Sequence, residues 1–299
     1  MAENYQIDRR RLLQGLAGMG VVIAADTSAG NVNGVPENAE RGLVKTTQGF
    51  VHYWQTGDVN NPPLVLIHQS SQSSVEFEDM APLLADSFNV VAIDLPGHGC
   101  SDLPDRELTV QEHVDAVAEV LSYLEISSAA VLGHHGGGVL VVDLAVRYPD
   151  RVGKLLLSGV GRPDNFDVEA AVAAPMSRDM PLDADGGFLD KTWAIYQKMS
   201  APGTPLNITF KPFLESLKQR QKPYDLHYAV YRFNYLPLLA EITQPVLLLH
   251  AEHDAAGGDT KRLLTKIADA SYRKVPDCGA WQYYEQPAGN ADAVREFLL

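Results

Sequence analysis

Short, almost wholly aliphatic runs recur along the chain, each bounded by turn-forming residues. They are Pro63–His68 (PLVLIH), Asn89–Asp94 (NVVAID), Ala129–Gly133 (AAVLG), Val152–Ser158 (VGKLLLS) and Val246–His250 (VLLLH). Runs this short have strand length, and their lack of polar alternation means that both faces are covered. Between them the spacing turns helical: Val110, Val114, Val117, Val120, Leu121 and Leu124 form one stripe within Thr109 to Leu124. Gly136 to Tyr148 and Ala291 to Leu298 read as further helices, Phe50 to Gln55 and Ser271 to Val275 as further strands. Strands alternating with helices predict an α/β fold, a mostly parallel sheet with helices on both faces.

The pattern stops between Arg162 and Ala240. Residues 163–240 hold 11 of the 24 aromatic residues, Trp193 and Tyr228 among them. An aromatic-rich insertion after a strand predicts a helical lid over the carboxyl ends of the sheet, with residues 30–162 and 241–299 forming the core. Most of these rings belong to the lid's own core, and a few facing outward suffice to line an apolar pocket.

The first 29 residues carry a different signal. Arg9-Arg10-Arg11 is followed by Leu12-Leu13, a glycine-rich apolar stretch from Gly15 to Ala25, and small residues at Thr27-Ser28-Ala29. This order resembles a twin-arginine export signal and predicts a periplasmic or extracellular address. The other reading is a disordered or amphipathic N-terminal helix with a chance arginine cluster, on a cytoplasmic protein. No apolar run reaches the length of a spanning helix, so no stable membrane association is expected after export. A net charge of -14, with no basic patch, argues against nucleic-acid binding. The two cysteines, Cys100 and Cys278, lack metal-ligand spacing, and no metal or cofactor is expected.

Several motifs follow one another in a specific order. His68-Gln69-Ser70 ends a strand, and Asp94-Leu95-Pro96-Gly97-His98-Gly99-Cys100-Ser101 follows the next. Leu132-Gly133-His134-His135-Gly136-Gly137-Gly138 lies between a strand and a helix. Asp254 falls just past a strand in His250-Ala251-Glu252-His253-Asp254, and Asp277-Cys278-Gly279-Ala280-Trp281 comes near the end. Across roughly residues 43–299 this order resembles the α/β-hydrolase superfamily, in its epoxide-hydrolase, dehalogenase and esterase branch. The resemblance implies an α/β-hydrolase fold, a nucleophile at position 135, a catalytic histidine at 280 and an acid at 254.

Two of those positions depart from the family. His135 replaces the elbow nucleophile and Ala280 replaces the histidine, so a Ser-His-Asp triad cannot form. The changes are complementary, because an imidazole from 135 can meet the carboxylate of Asp254 from the opposite side of the cleft. A His135–Asp254 dyad would act as general acid or base, with the N–H groups of Gly136 and Gln69 forming an anion hole. Ser70, His134, Trp281, Trp193 and Tyr228 are placed around it. Among relatives without hydrolytic activity the resemblance includes lyases, cofactor-free dioxygenases, cyclases and carbon–carbon bond-forming enzymes. The expectation is non-hydrolytic proton transfer on a hydrophobic, polyketide-like small molecule. A ligand-binding pseudohydrolase and a hydrolase using Ser70 or Cys278 as nucleophile are the other readings. A metal site from His134, His135 and Asp254 is not expected, since adjacent residues in a sharp turn point apart. His68 and Asp94 read as structural, and His253 as a solvated neighbour of the acid.

Overall fold

The computed structural model describes residues 35–174, 181–219, 226–255 and 257–299; residues 1–29, where an export signal is expected, lie outside them. Eight strands form one sheet: β1 (Glu40–Thr46), β2 (Gly49–Thr56), β3 (Pro63–Ile67), β4 (Asn89–Ile93), β5 (Ala129–His134), β6 (Val152–Ser158), β7 (Val246–Ala251) and β8 (Ala270–Val275). Their spatial order is β1-β2-β4-β3-β5-β6-β7-β8. The β1–β2 and β2–β4 pairs are antiparallel, and every other pair is parallel.

The aliphatic runs are the central strands, and alternate side chains enter two separate cores. Val65, Ile67, Val91, Ile93, Val131, Leu155, Leu157 and Leu248 pack on one face. Leu64, Leu66, Val90, Ala92, Leu132, Leu156, Leu247 and Leu249 pack on the other. The first core is covered by α2 (Val110–Tyr123) and α3 (Gly136–Arg147), the second by α1 (Ala81–Leu84) and α8 (Pro287–Leu298). The start of α2 is fixed by a capping box: Glu112 N–H donates to Thr109 Oγ1 at 3.2 Å, and Thr109 N–H to Glu112 Oε2 at 2.9 Å.

Strand β1 lies at the sheet edge and was not marked by an aliphatic run; only Val44 and Thr46 are buried in it. Between β6 and β7 the chain leaves the sheet and forms α4 (Val168–Ala173), α5 (Gly187–Met199), α6 (Leu206–Gln219) and α7 (Leu226–Arg232). Among the described residues no helix is long and apolar enough to cross a membrane.

Candidate active site

His135 sits on the turn between β5 and α3, the N-cap of that helix, with φ 44° and ψ −109°. A positive φ is costly for a residue with a side chain and persists only where surrounding structure imposes it. Here the imposing contacts are close: a Cβ on Gly137 would lie 2.4 Å from the Ile67 carbonyl oxygen, and one on Gly133 2.4 Å from that of Gly137. The backbone is pinned again where His135 N–H donates to Ser158 O at 2.8 Å.

The imidazole crosses to the end of β7, where its Nε2 lies 2.7 Å from Asp254 Oδ2. The other carboxylate oxygen accepts the Gly257 N–H at 2.9 Å. The ring's path depends on Gly159, immediately after β6: a Cβ there would fall 2.2 Å from His135 Cδ2 and 2.9 Å from Asp254 Oδ2. Gly159 itself has φ +62°, so any side chain would also strain the backbone. The sequence offered only an aliphatic strand ending in Ser158-Gly159, and the need for glycine there shows only once the ring's course is known.

Burial disfavours charge on both partners, but their attraction outweighs it. The Asp254 carboxyl is pushed up by burial and brought down further by His135 and the Gly257 N–H, ending well below the usual 3.8. His135 is pushed down by burial and carried above 6.5 by Asp254 and, more weakly, Glu76. The Asp254 side chain is wholly buried, whereas 16% of the His135 side chain is exposed. Because Asp254 accepts the Nε2 proton, the neutral ring carries its lone pair on Nδ1, which makes none of the described hydrogen bonds.

Gln69 does not do what its sequence position suggests. Its N–H donates to Glu76 Oε2 at 3.0 Å and so is withdrawn from any anion hole, while its Nε2 donates to Glu76 Oε1 at 2.9 Å and to Ala280 O at 3.3 Å. Ser70 lies closer to the elbow. Its backbone nitrogen and Oγ lie 3.5 and 2.4 Å from where a Cβ on Gly136 would be, against the first turn of α3. Gly136, as the first residue of that helix, has an N–H without an i−4 helical acceptor. The Ser70 hydroxyl is buried and without a hydrogen-bond partner among the described residues, with Val230 of α7 closing in at 3.5 Å from the same point on Gly136.

His134 also differs from expectation. Rather than pointing apart, the His134 and His135 rings lie 4.2 Å apart, centre to centre, tilted by 41°. His134 is fully buried, and its Nδ1 is in a short contact with Glu76 Oε1. Glu76 was missed because an acid between Val75 and Phe77 reads as a solvated residue in a helical turn. In the fold that turn (Ser74–Phe77) is tucked beneath the elbow, and Glu76 is buried.

The aromatic candidates serve the inserted helices. Trp281 stacks on Tyr196 at 4.5 Å, donates Nε1–H to Tyr196 O at 3.0 Å and is buried beside Ala280, Phe213 and Tyr284. Trp193 packs edge-on against Phe213 at 5.2 Å, and Tyr228 lies beneath the Arg232 guanidinium at 5.8 Å. Cys278 is buried; it donates to Val275 O, and burial pushes its thiol up to about 12. Asp94 accepts from Ser74 N–H, Cys100 N–H and the His52 ring, tying the loop after β4 in place. His68 accepts the Leu95 N–H at Nε2, and the His253 side chain is 40% exposed.

The profile of the alpha/beta hydrolase fold family matches residues 62–287. Among curated relatives, a pimeloyl-[acyl-carrier protein] methyl ester esterase of Aromatoleum aromaticum is 27% identical over 260 residues, covering 80% of this chain and 99% of the esterase. A haloalkane dehalogenase of Mycolicibacterium paratuberculosis is 34% identical over 111 residues, 36% of this chain and 37% of that protein. Among solved structures, a thermophilic esterase from Thermogutta terrifontis superposes with a TM-score of 0.73 at 22% identity, over 87% of this chain and 98% of the esterase. The match across most of the chain, with the strand order and strand-to-helix elbow described above, places this protein in the α/β-hydrolase fold family.

Proposed function

We propose that this protein is an enzyme that moves protons rather than hydrolysing bonds, with His135 as general base and acid and Asp254 holding its ring. The observation that carries the reading is the 2.7 Å contact between His135 Nε2 and Asp254 Oδ2 at an elbow that has no side-chain oxygen. The Nδ1 lone pair takes a proton from an activated C–H or O–H of a hydrophobic small molecule, polyketide-like in its carbonyl chemistry. Asp254 stabilises the imidazolium that results. The oxyanion left on the substrate lies against the Gly136 N–H, with the Ser70 N–H and hydroxyl as further donors. Return of the proton to a different atom gives isomerisation, and loss of a group from the carbanion gives lyase chemistry.

The test is hydrogen–deuterium exchange at the acidic carbon of a panel of apolar β-dicarbonyl compounds in D₂O. His135→Ala is expected to lower exchange by ~10²–10⁴-fold; undiminished exchange would reject the role. One observation favours a second reading, hydrolysis through Ser70: its buried hydroxyl, beside the helix start, has no hydrogen-bond partner among the described residues. Ester turnover by the native protein, abolished in Ser70→Ala, would establish that reading instead. We further propose export by the twin-arginine route, resting on Arg9-Arg10-Arg11 and the apolar stretch after it. Replacement of all three arginines by lysine should leave the protein in the cytoplasm.

A further inference from the structure

We propose that Glu76, acting through His134, is a second carboxylate positioned to hold His135 ready for proton transfer, so that the working unit is Glu76–His134–His135–Asp254 rather than a dyad. The inference deepens the reading of His135 as the base. It rests on an arrangement that the family pattern does not require: two buried carboxylates flank two neighbouring imidazoles. At one end Asp254 Oδ2 meets His135 Nε2 at 2.7 Å. In the middle the two rings are 4.2 Å apart. At the other end Glu76 meets His134 Nδ1, with both side chains essentially unexposed.

Glu76 joins three parts of the site. It binds the residue before His135, it takes both the backbone and side-chain N–H of Gln69 immediately before Ser70, and through Gln69 it reaches Ala280. A buried carboxylate with this many donors is held ionised, since each donor favours the charged form. Burial raises the Glu76 carboxyl, but His134 and the Gln69 N–H bring it below 4.5 overall. His134 moves the other way: burial keeps it below 6.5 despite Glu76.

The proton assignment follows from the geometry. His134 Nδ1–H donates to Glu76, and its Nε2 is buried with no hydrogen-bond partner among the described residues. A bare ring nitrogen is tolerated there more readily than a buried, unsatisfied N–H, so His134 is neutral with its proton on Nδ1. Once His135 has taken up a proton, the unit carries two negative charges and one positive. Besides Asp254, His134 and Glu76, the neighbouring titratable groups are His68, which faces Glu76, Cys278, which faces Asp254, and Tyr283, edge-on to His134 at 5.0 Å. Among all these groups only Asp254 and Glu76 favour protonated His135, so Glu76 supplies the second charge. A neutral His134 lets that charge act across the two adjacent, tilted rings without placing a competing cation beside His135.

The experiment is nitrogen-15 NMR of the histidine rings in the full chain, titrated in the native protein and in Glu76→Gln. In the native protein His134 should show a protonated Nδ1 and bare Nε2 throughout neutral pH, while His135 titrates above 6.5. In Glu76→Gln the His135 midpoint should fall by at least roughly half a pH unit, and Glu76→Asp should restore part of that fall. A native His134 carrying its proton on Nε2 would overturn the proposal, and this result needs no variant to fold. So would a folded Glu76→Gln with His135 unmoved. If Asp254→Asn shifts His135 and Glu76→Gln does not, the dyad stands and only the longer unit is lost.

Discussion

At the scale of single residues, the site turns on whether one ring can lie across one glycine. Gly159→Ala would place a methyl 2.2 Å from His135 Cδ2 at a φ of +62°. The expected loss is about 1–3 kcal/mol of stability, from overpacking and backbone strain together, read by urea unfolding. The same variant should lose deuterium exchange, because the ring must leave Asp254 to make room. Cys278 gives a contrasting prediction. With its thiol pushed up to about 12 by burial, it should resist alkylation by iodoacetamide at pH 8 until the protein unfolds, which removes it as a nucleophile. His135, Asp254 and Ala280 were legible in the sequence because the family spacing marks their positions. Glu76 and Gly159 were not, since nothing local distinguishes a buried acid from a solvated one, or a required glycine from an ordinary loop glycine. Gln69 was misread for a similar reason: the acceptor that captures its N–H lies seven residues later, in a turn whose packing only the fold reveals.

At the scale of elements, the parallel strands were the most readable features. The central ones, β3 to β7, are buried on both faces, and such strands need continuous aliphatic runs. Strand β1 pairs with β2 from Glu40↔Gln55 to Thr46↔Gly49, yet it sits at the edge with little burial and leaves no such run. The inserted helices were legible as an aromatic-rich break, but which rings anchor them was not. Trp281, read as a pocket residue, clamps α5 to the loop after β8 through its stack on Tyr196 and its hydrogen bond to the Tyr196 carbonyl. Trp281→Ala should therefore cost about 3–5 kcal/mol, as for other buried large-to-small changes. Chemical denaturation would measure it, and limited proteolysis should then cut first within residues 187–219.

At the scale of the whole molecule, the charged centre couples stability to pH in a window set by both partners. His135 has a folded value raised above 6.5, so its contribution is complete below 6.5 and fades as pH rises through the folded value. Asp254 is lowered from 3.8, so its contribution is present above 3.8 and fades as pH falls through the lower folded value. The pair therefore stabilises the fold most between those two pH values, and Asp254→Asn should flatten that part of a stability–pH profile measured by thermal unfolding. The frame around the pair follows from its residues: a doubly covered sheet brings the ends of β3, β5, β6 and β7 to one edge, where Ser70, His135, Gly159 and Asp254 meet. The most direct test is the protonation midpoint of the His135 ring, measured by NMR in the native protein and in Asp254→Asn. The account predicts a native midpoint above 6.5 that falls when the Asp254 carboxylate is removed and burial is opposed only by the weaker pull of Glu76. A native midpoint near 6.5 that is indifferent to Asp254→Asn would show that the two side chains do not work together, and would contradict it.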